Sequence, residues 1–179
     1  SIALAHCLAR QGRRILLFDG DLGLANIDIQ LGLQATSDLG RYADADVALH
    51  NLIAPYSPGG FDVIVGRSGM KKLLALQGRR LHSLATELVA LAAGYDSVII
   101  DLGAGLGPQV RGLAALAELQ LVVTTDEPTA LTDAYAYIKL THQHSPDAPL
   151  AAVINMAATK REGDRTFGTL SKACQTFLR

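Results

Sequence analysis

The 179 residues carry 16 Lys and Arg against 17 Asp and Glu, and the resulting net charge of -1 projects no broad field towards nucleic acid or an anionic membrane. A hydrophobic content of 49% supports one core in one domain spanning 1–179; with 5% aromatics and no tryptophan, its filling is Leu, Ile, Val and Ala, as in parallel sheets flanked by helices. Cys7 and Cys174 are too few for a disulfide framework or a zinc site, and no apolar run approaches the roughly 20 residues that cross a bilayer, so a cytoplasmic chain is expected.

In chain order, residues 1–9 show apolar side chains at helical spacing from the first position, with no approach segment, so the chain is expected to begin inside a longer protein. Nearly continuous apolar runs at 15–18, 61–65, 97–100, 119–124 and 150–154 predict buried parallel strands. Helices are predicted at 81–93, ending at Gly94, at 110–117 and at 132–142. Residues 170–179 stop within a helical pattern, so the C-terminal end too is expected to be internal. This alternation predicts an α/β fold with a doubly wound, mostly parallel sheet and helices on both faces.

Such sheets bind ligands outside the carboxyl ends of their strands. The segments there are Asp19-Gly20-Asp21, Gly66-Arg67-Ser68-Gly69, Asp101-Leu102-Gly103-Ala104-Gly105, Thr125-Asp126-Glu127-Pro128 and Asn155-Met156. Their carboxylates and glycines compose an acidic, backbone-rich rim suited to a phosphate with magnesium. If the first strand persists, Asp19 and Asp21 leave it on one face, where a single metal or water senses both; a polar turn is the plain alternative. Asp101 follows Val98-Ile99-Ile100 in the apolar-run-then-Asp arrangement of a Walker B strand, and Gly103, Gly105 and Gly107 give the next segment the freedom a phosphate-sensing switch needs.

Three other readings compete. A dinucleotide fingerprint begins at Gly103-Ala104-Gly105 but meets Pro108 where glycine or alanine belongs. A phospho-acceptor receiver would also pair acids after one strand and place Thr124 or Thr125 after another, but lacks a Lys-Pro after the last strand. His142-Gln143-His144 offers two imidazoles without a third ligand, and the basic pairs Lys71-Lys72 and Arg79-Arg80 read as solvated surface.

Residues 18–33, Phe18-Asp19-Gly20-Asp21-Leu22-Gly23-Leu24-Ala25-Asn26-Ile27-Asp28-Ile29-Gln30-Leu31-Gly32-Leu33, resemble the D-x-D-L-G-L-A-N-x-D segment of the MinD/ParA-type ATPases and of their FlhG-type flagellar members. Residues 60–69 are similar to that family's glycine-serine-glycine stretch, and Asp101-Leu102-Gly103-Ala104-Gly105 to its D-T-G-A-G switch. Residues 123–139 resemble the E-P-[ST]-x-[LI]-T-D-A-Y-A-x-I-K block that marks FlhG rather than cell-division MinD, and Asn155-Met156 and residues 162–178 extend the likeness.

The resemblance implies a P-loop NTPase fold lacking its first strand, with ATP and Mg2+ as ligands. It implies that Asp21 orients the attacking water, that Asp19 and Asp101 stand beside the metal, acting through water, and that Asn155, Met156, Glu127 and Pro128 contact the nucleotide. Asn26, Gly103, Ala104 and Gly105 would be switch residues. Two departures stand out: Gly20 replaces a larger residue and Leu102 the usual hydroxyl residue. In this family a strand and a K-G-G-V-G-K-T loop directly precede the opening helix, so the 179 residues alone are not expected to hydrolyse ATP. The implied partners are a second copy in an ATP-dependent homodimer, an FlhF-type GTPase, flagellar C-ring components and a σ54-dependent flagellar activator. Membrane contact would come only from a C-terminal helix outside these residues, at the inner face of the cell pole, and no specific nucleic acid is implied. Partition ATPases of the ParA type, division-site MinD and a non-catalytic or receiver-like module remain alternatives.

Overall fold

Strand β1, Ile15–Asp19, has five successive buried side chains because both faces of its sheet are covered. Leu16 and Phe18 pack with Leu39, Leu84, Leu88 and Leu113 on one side, while Ile15 and Leu17 pack with Ala5 and Ile27 on the other. The computed structural model describes residues 1–34, 37–44, 47–69 and 78–178, which form two units, Ser1–Leu116 and Ala117–Arg179.

In the first unit α1 (Ile2–Ala9) precedes β1, and α2 (Ile27–Leu31), α3 (Leu39–Ala43) and a 3-10 turn (Leu49–Leu52) follow it. Then come β2 (Ala54–Tyr56), β3 (Phe61–Ile64), α4 (Arg79–Ala92), β4 (Ser97–Asp101) and α5 (Pro108–Ala114). The sheet order is β2-β3-β1-β4, with β1 parallel to both neighbours and β2 antiparallel at the edge. Phe18 stands opposite both Ile64 and Ile100, and Asp19 opposite Asp101.

The second unit comprises β5 (Gln120–Thr124), α6 (Pro128–His144), β6 (Leu150–Ile154) and α7 (Lys160–Phe177). Its parallel pair β5-β6 packs through Val122, with Ala134 of α6 and Leu170 of α7, into a separate small core.

All five expected strands are present, each within one residue of its predicted ends. They lie in two sheets: among the described residues β4 pairs only with β1, and β5 only with β6. Strand β2 was not expected; three residues around Pro55 carry no alternation, and proline is tolerated at a sheet edge. Helices α5 and α6 start earlier than their apolar stripes suggest, at Pro108 and Pro128, because proline at the first helical position presets φ and has no N–H to satisfy. Helix α7 is fixed at its start by a reciprocal cap, in which Thr159 accepts from the Glu162 N–H at 3.2 Å and the Glu162 carboxylate from the Ala158 N–H at 3.1 Å.

Lys71-Lys72 lie outside the described residues, whereas Arg79-Arg80 open α4 as exposed side chains and Arg80 donates to the Ala43 carbonyl. No helix among the described residues is long and apolar enough to cross a membrane.

Candidate nucleotide site

The carboxyl ends of β1 and β4 converge because the strands are direct parallel neighbours in register. Asp19, the last residue of β1, is 1% exposed, and its Oδ2 accepts the Ile27 N–H at 3.2 Å. Burial pushes its carboxyl up to about 6; backbone N–H groups of Ile27, Asp21 and Gly66 oppose that rise, and the charge of Asp101 adds to it. Asp101 is half-buried across the strand pair.

The first strand does not persist to Asp21. Gly20 donates to the Asp101 carbonyl at 2.7 Å, and the Asp21 carboxylate then captures the N–H groups of Gly23 at 3.1 Å and Leu24 at 2.9 Å, closing a turn. The turn carries Asp21 against the β4 loop instead of along the strand face: a Cβ at position 103 would lie 2.6 Å from Cγ of Asp21, so the Gly103 backbone abuts that carboxylate. The departure at Gly20 has a steric reason, since a Cβ there would lie 2.9 Å from the Asp101 carbonyl oxygen and 2.9 Å from Cδ2 of Leu102. The two atypical residues are thus neighbours, Leu102 standing beside the space that Gly20 leaves.

The structure therefore gathers Asp19, Asp21, Asp101 and Gly103 at one sheet edge, with Ala104 and Gly105 continuing the loop that leads into α5. Asn26 is exposed at the start of α2, directly before the Ile27 N–H held by Asp19, and its Oδ1 accepts from Gln30 at 2.7 Å. Within the second unit, Glu127, Pro128, Asn155 and Met156 lie at the carboxyl ends of its two parallel strands. The Asn155 N–H donates to the Thr124 carbonyl at 2.8 Å, extending the ladder past β6, and Met156 is held at φ 59° with its side chain 83% exposed. A non-glycine residue in the left-handed region concentrates at ligand sites.

Sequence reading did not find the contact of Gly66 with Ala25 and Asp19. Its signal is present as small residues just past two adjacent strands, but their meeting depends on loop paths. His142 and His144 end α6 without further ligands: among the described residues no group of three His, Cys, Asp or Glu could hold a metal. The Asp19–Asp101 edge fits a hard cation that takes one or two carboxylates and fills its remaining positions with water and phosphate oxygens, which is magnesium's habit.

No family model matches the chain. It is 34% identical over 178 residues to the antiactivator FleN of Pseudomonas aeruginosa, covering 99% of this chain and 63% of FleN. It is 29% identical over 178 residues to the flagellum site-determining protein YlxH of Helicobacter pylori, covering 99% of this chain and 60% of YlxH. The chain thus spans about three fifths of the curated relatives it matches. Among solved structures, the cell division ATPase MinD of Pyrococcus furiosus superposes with a TM-score of 0.77 at 23% identity, over 94% of this chain and 71% of that one. Sequence and fold point the same way: the chain is similar over nearly its whole length to the flagellar proteins FleN and YlxH, and its α/β fold is that of the MinD/ParA-type P-loop NTPases.

Proposed function

We propose that the protein is an ATP-dependent switch of the FlhG kind, a slow ATPase whose nucleotide state sets flagellar number and placement and restrains σ54-dependent flagellar gene expression. The observation that carries this reading is the meeting of Asp19, Asp21 and Asp101 at the carboxyl edge of β1 and β4, with the Gly103 backbone against Asp21. The identity to FleN and YlxH supports the flagellar branch.

In this reading Asp21 would orient the attacking water, and Asp19 and Asp101 are the residues that would hold magnesium. Magnesium, when bound, neutralises charge on the phosphate oxygens. Gly103, Ala104, Gly105 and Asn26 respond to the terminal phosphate, while Asn155 reads adenine with Met156, Glu127 and Pro128 beside it. The ATP-bound form pairs with a second copy, and its states differ in affinity for an FlhF-type GTPase, C-ring components and a σ54-dependent activator.

The full-length protein should bind ATP and hydrolyse it slowly. Asp21→Ala should retain nucleotide binding while hydrolysis falls about a hundredfold or more. Absence of nucleotide binding by the full-length protein, or undiminished hydrolysis by Asp21→Ala, would overturn the assignment.

A further inference from the structure

We infer that the loop after β3, residues 65–69, clamps the first switch segment, with Gly66 as the positioning residue that holds Asp19 and Ala25 in place. The inference rests on the nucleotide reading and adds to it a third strand end that touches no reacting group itself.

Four contacts run from this short loop to different parts of residues 19–39. A Cβ at position 66 would collide with the Ala25 methyl and lie 3.3 Å from Cγ of Asp19, so only glycine lets the loop lie this close. The Gly69 N–H donates to the Gly23 carbonyl at 3.1 Å. The Val65 carbonyl accepts the Leu39 N–H at 3.0 Å, and the Arg67 guanidinium reaches the Asp38 carboxylate at 3.8 Å.

Gly23 is also the residue whose N–H the Asp21 carboxylate holds, so the turn that aims Asp21 is grasped by Asp21 from within and by Gly69 from outside. Ala25 is 2% exposed and lies two residues before Ile27, whose N–H Asp19 binds. Displacing Gly66 therefore shifts the Asp19 carboxylate at the end of β1 and the turn that holds Asp21, while leaving Asp101 in place. Misplacement of this kind lowers the chemical step more than substrate binding.

The test uses the full-length protein carrying Gly66→Ala, Ala25→Gly and both together. Gly66→Ala should lower kcat about tenfold or more while KM for ATP stays within about threefold, and amide exchange at Ile27 without nucleotide should accelerate. Ala25→Gly added to Gly66→Ala removes the methyl-to-methyl collision and should recover most of the kcat and most of the Ile27 protection. A purely structural glycine would not be rescued in this residue-specific way. Should Gly66→Ala not fold, Ala25→Gly alone, which loosens the same contact, should still speed Ile27 exchange. Unchanged Ile27 exchange in both single variants, or a double variant no better than Gly66→Ala, would overturn the clamp. Should the full-length protein not hydrolyse ATP, the nucleotide reading falls, and the exchange measurements still decide the clamp.

Discussion

At the scale of single residues, burial makes the charged form of Asp19 costly to the fold. Its carboxyl is raised from 3.8 to about 6 by burial, so the folded chain holds that proton more tightly than the unfolded one. Folding then takes up a proton between about pH 4 and 6; the stability from this residue is complete below that window, falls as pH rises through it and stays lowered above. A gap of about two units corresponds to about 3 kcal/mol. Asp19→Asn removes the charge at nearly constant shape, so without nucleotide or magnesium it should be about 1–3 kcal/mol more stable than wild type at pH 7.5. Urea denaturation of both proteins across pH should show that gain closing below pH 4; equal stability at pH 7.5 would mean that the Ile27, Asp21 and Gly66 N–H groups fully offset the desolvation. The adjacency of Asp19 and Asp101 was legible, because two apolar runs each ending in Asp become neighbours in a parallel sheet. The contact of Asp21 with Gly103 was not, because it exists only after the Asp21 carboxylate has closed its own turn.

Among the elements, the segment between the first loop and β2 is held by one side chain of α4. Glu87 accepts the Tyr42 hydroxyl of α3 at 2.7 Å with one oxygen and the Leu49 N–H of the 3-10 turn at 3.0 Å with the other. Tyr42 is 8% exposed, and burial together with the Glu87 bond raises its hydroxyl above the ordinary tyrosine range. Tyr42→Phe deletes one bond and leaves Glu87 paired with Leu49, for an expected cost of about 1 kcal/mol. Glu87→Ala strands the buried hydroxyl and the amide together and should cost about 2–4 kcal/mol in thermal or chemical denaturation. Equal costs would show that the Leu49 bond adds nothing. None of this strut was readable in advance, since the three residues are brought together by loops without periodic pattern. Strands β1, β3, β4, β5 and β6 were readable because burial on both faces leaves an unbroken apolar run, and helix starts were misplaced where a proline, rather than the apolar stripe, begins the helix.

For the molecule as a whole, strand-helix alternation disclosed the α/β class, and the division into two sheets was invisible because hydrogen-bonded edges leave no compositional mark. The charge of these residues bears on the choice between the proposed flagellar switch and a partition ATPase. A partition ATPase of the ParA type holds duplex DNA through a basic surface, and such binding weakens steeply with salt. Here the net charge is -1, and α7, the most basic helix among the described residues, interleaves exposed Lys160, Arg161, Arg165 and Lys172 with Glu162 and Asp164, so its field is partly cancelled. The ATP-loaded full-length protein should therefore show no retention on nonspecific duplex DNA at about 0.15 M salt by fluorescence anisotropy, where a partition protein would bind. Lowering the salt should yield at most weak binding that does not depend on nucleotide. ATP-dependent, salt-sensitive DNA binding would instead favour a partition ATPase over the flagellar switch proposed above.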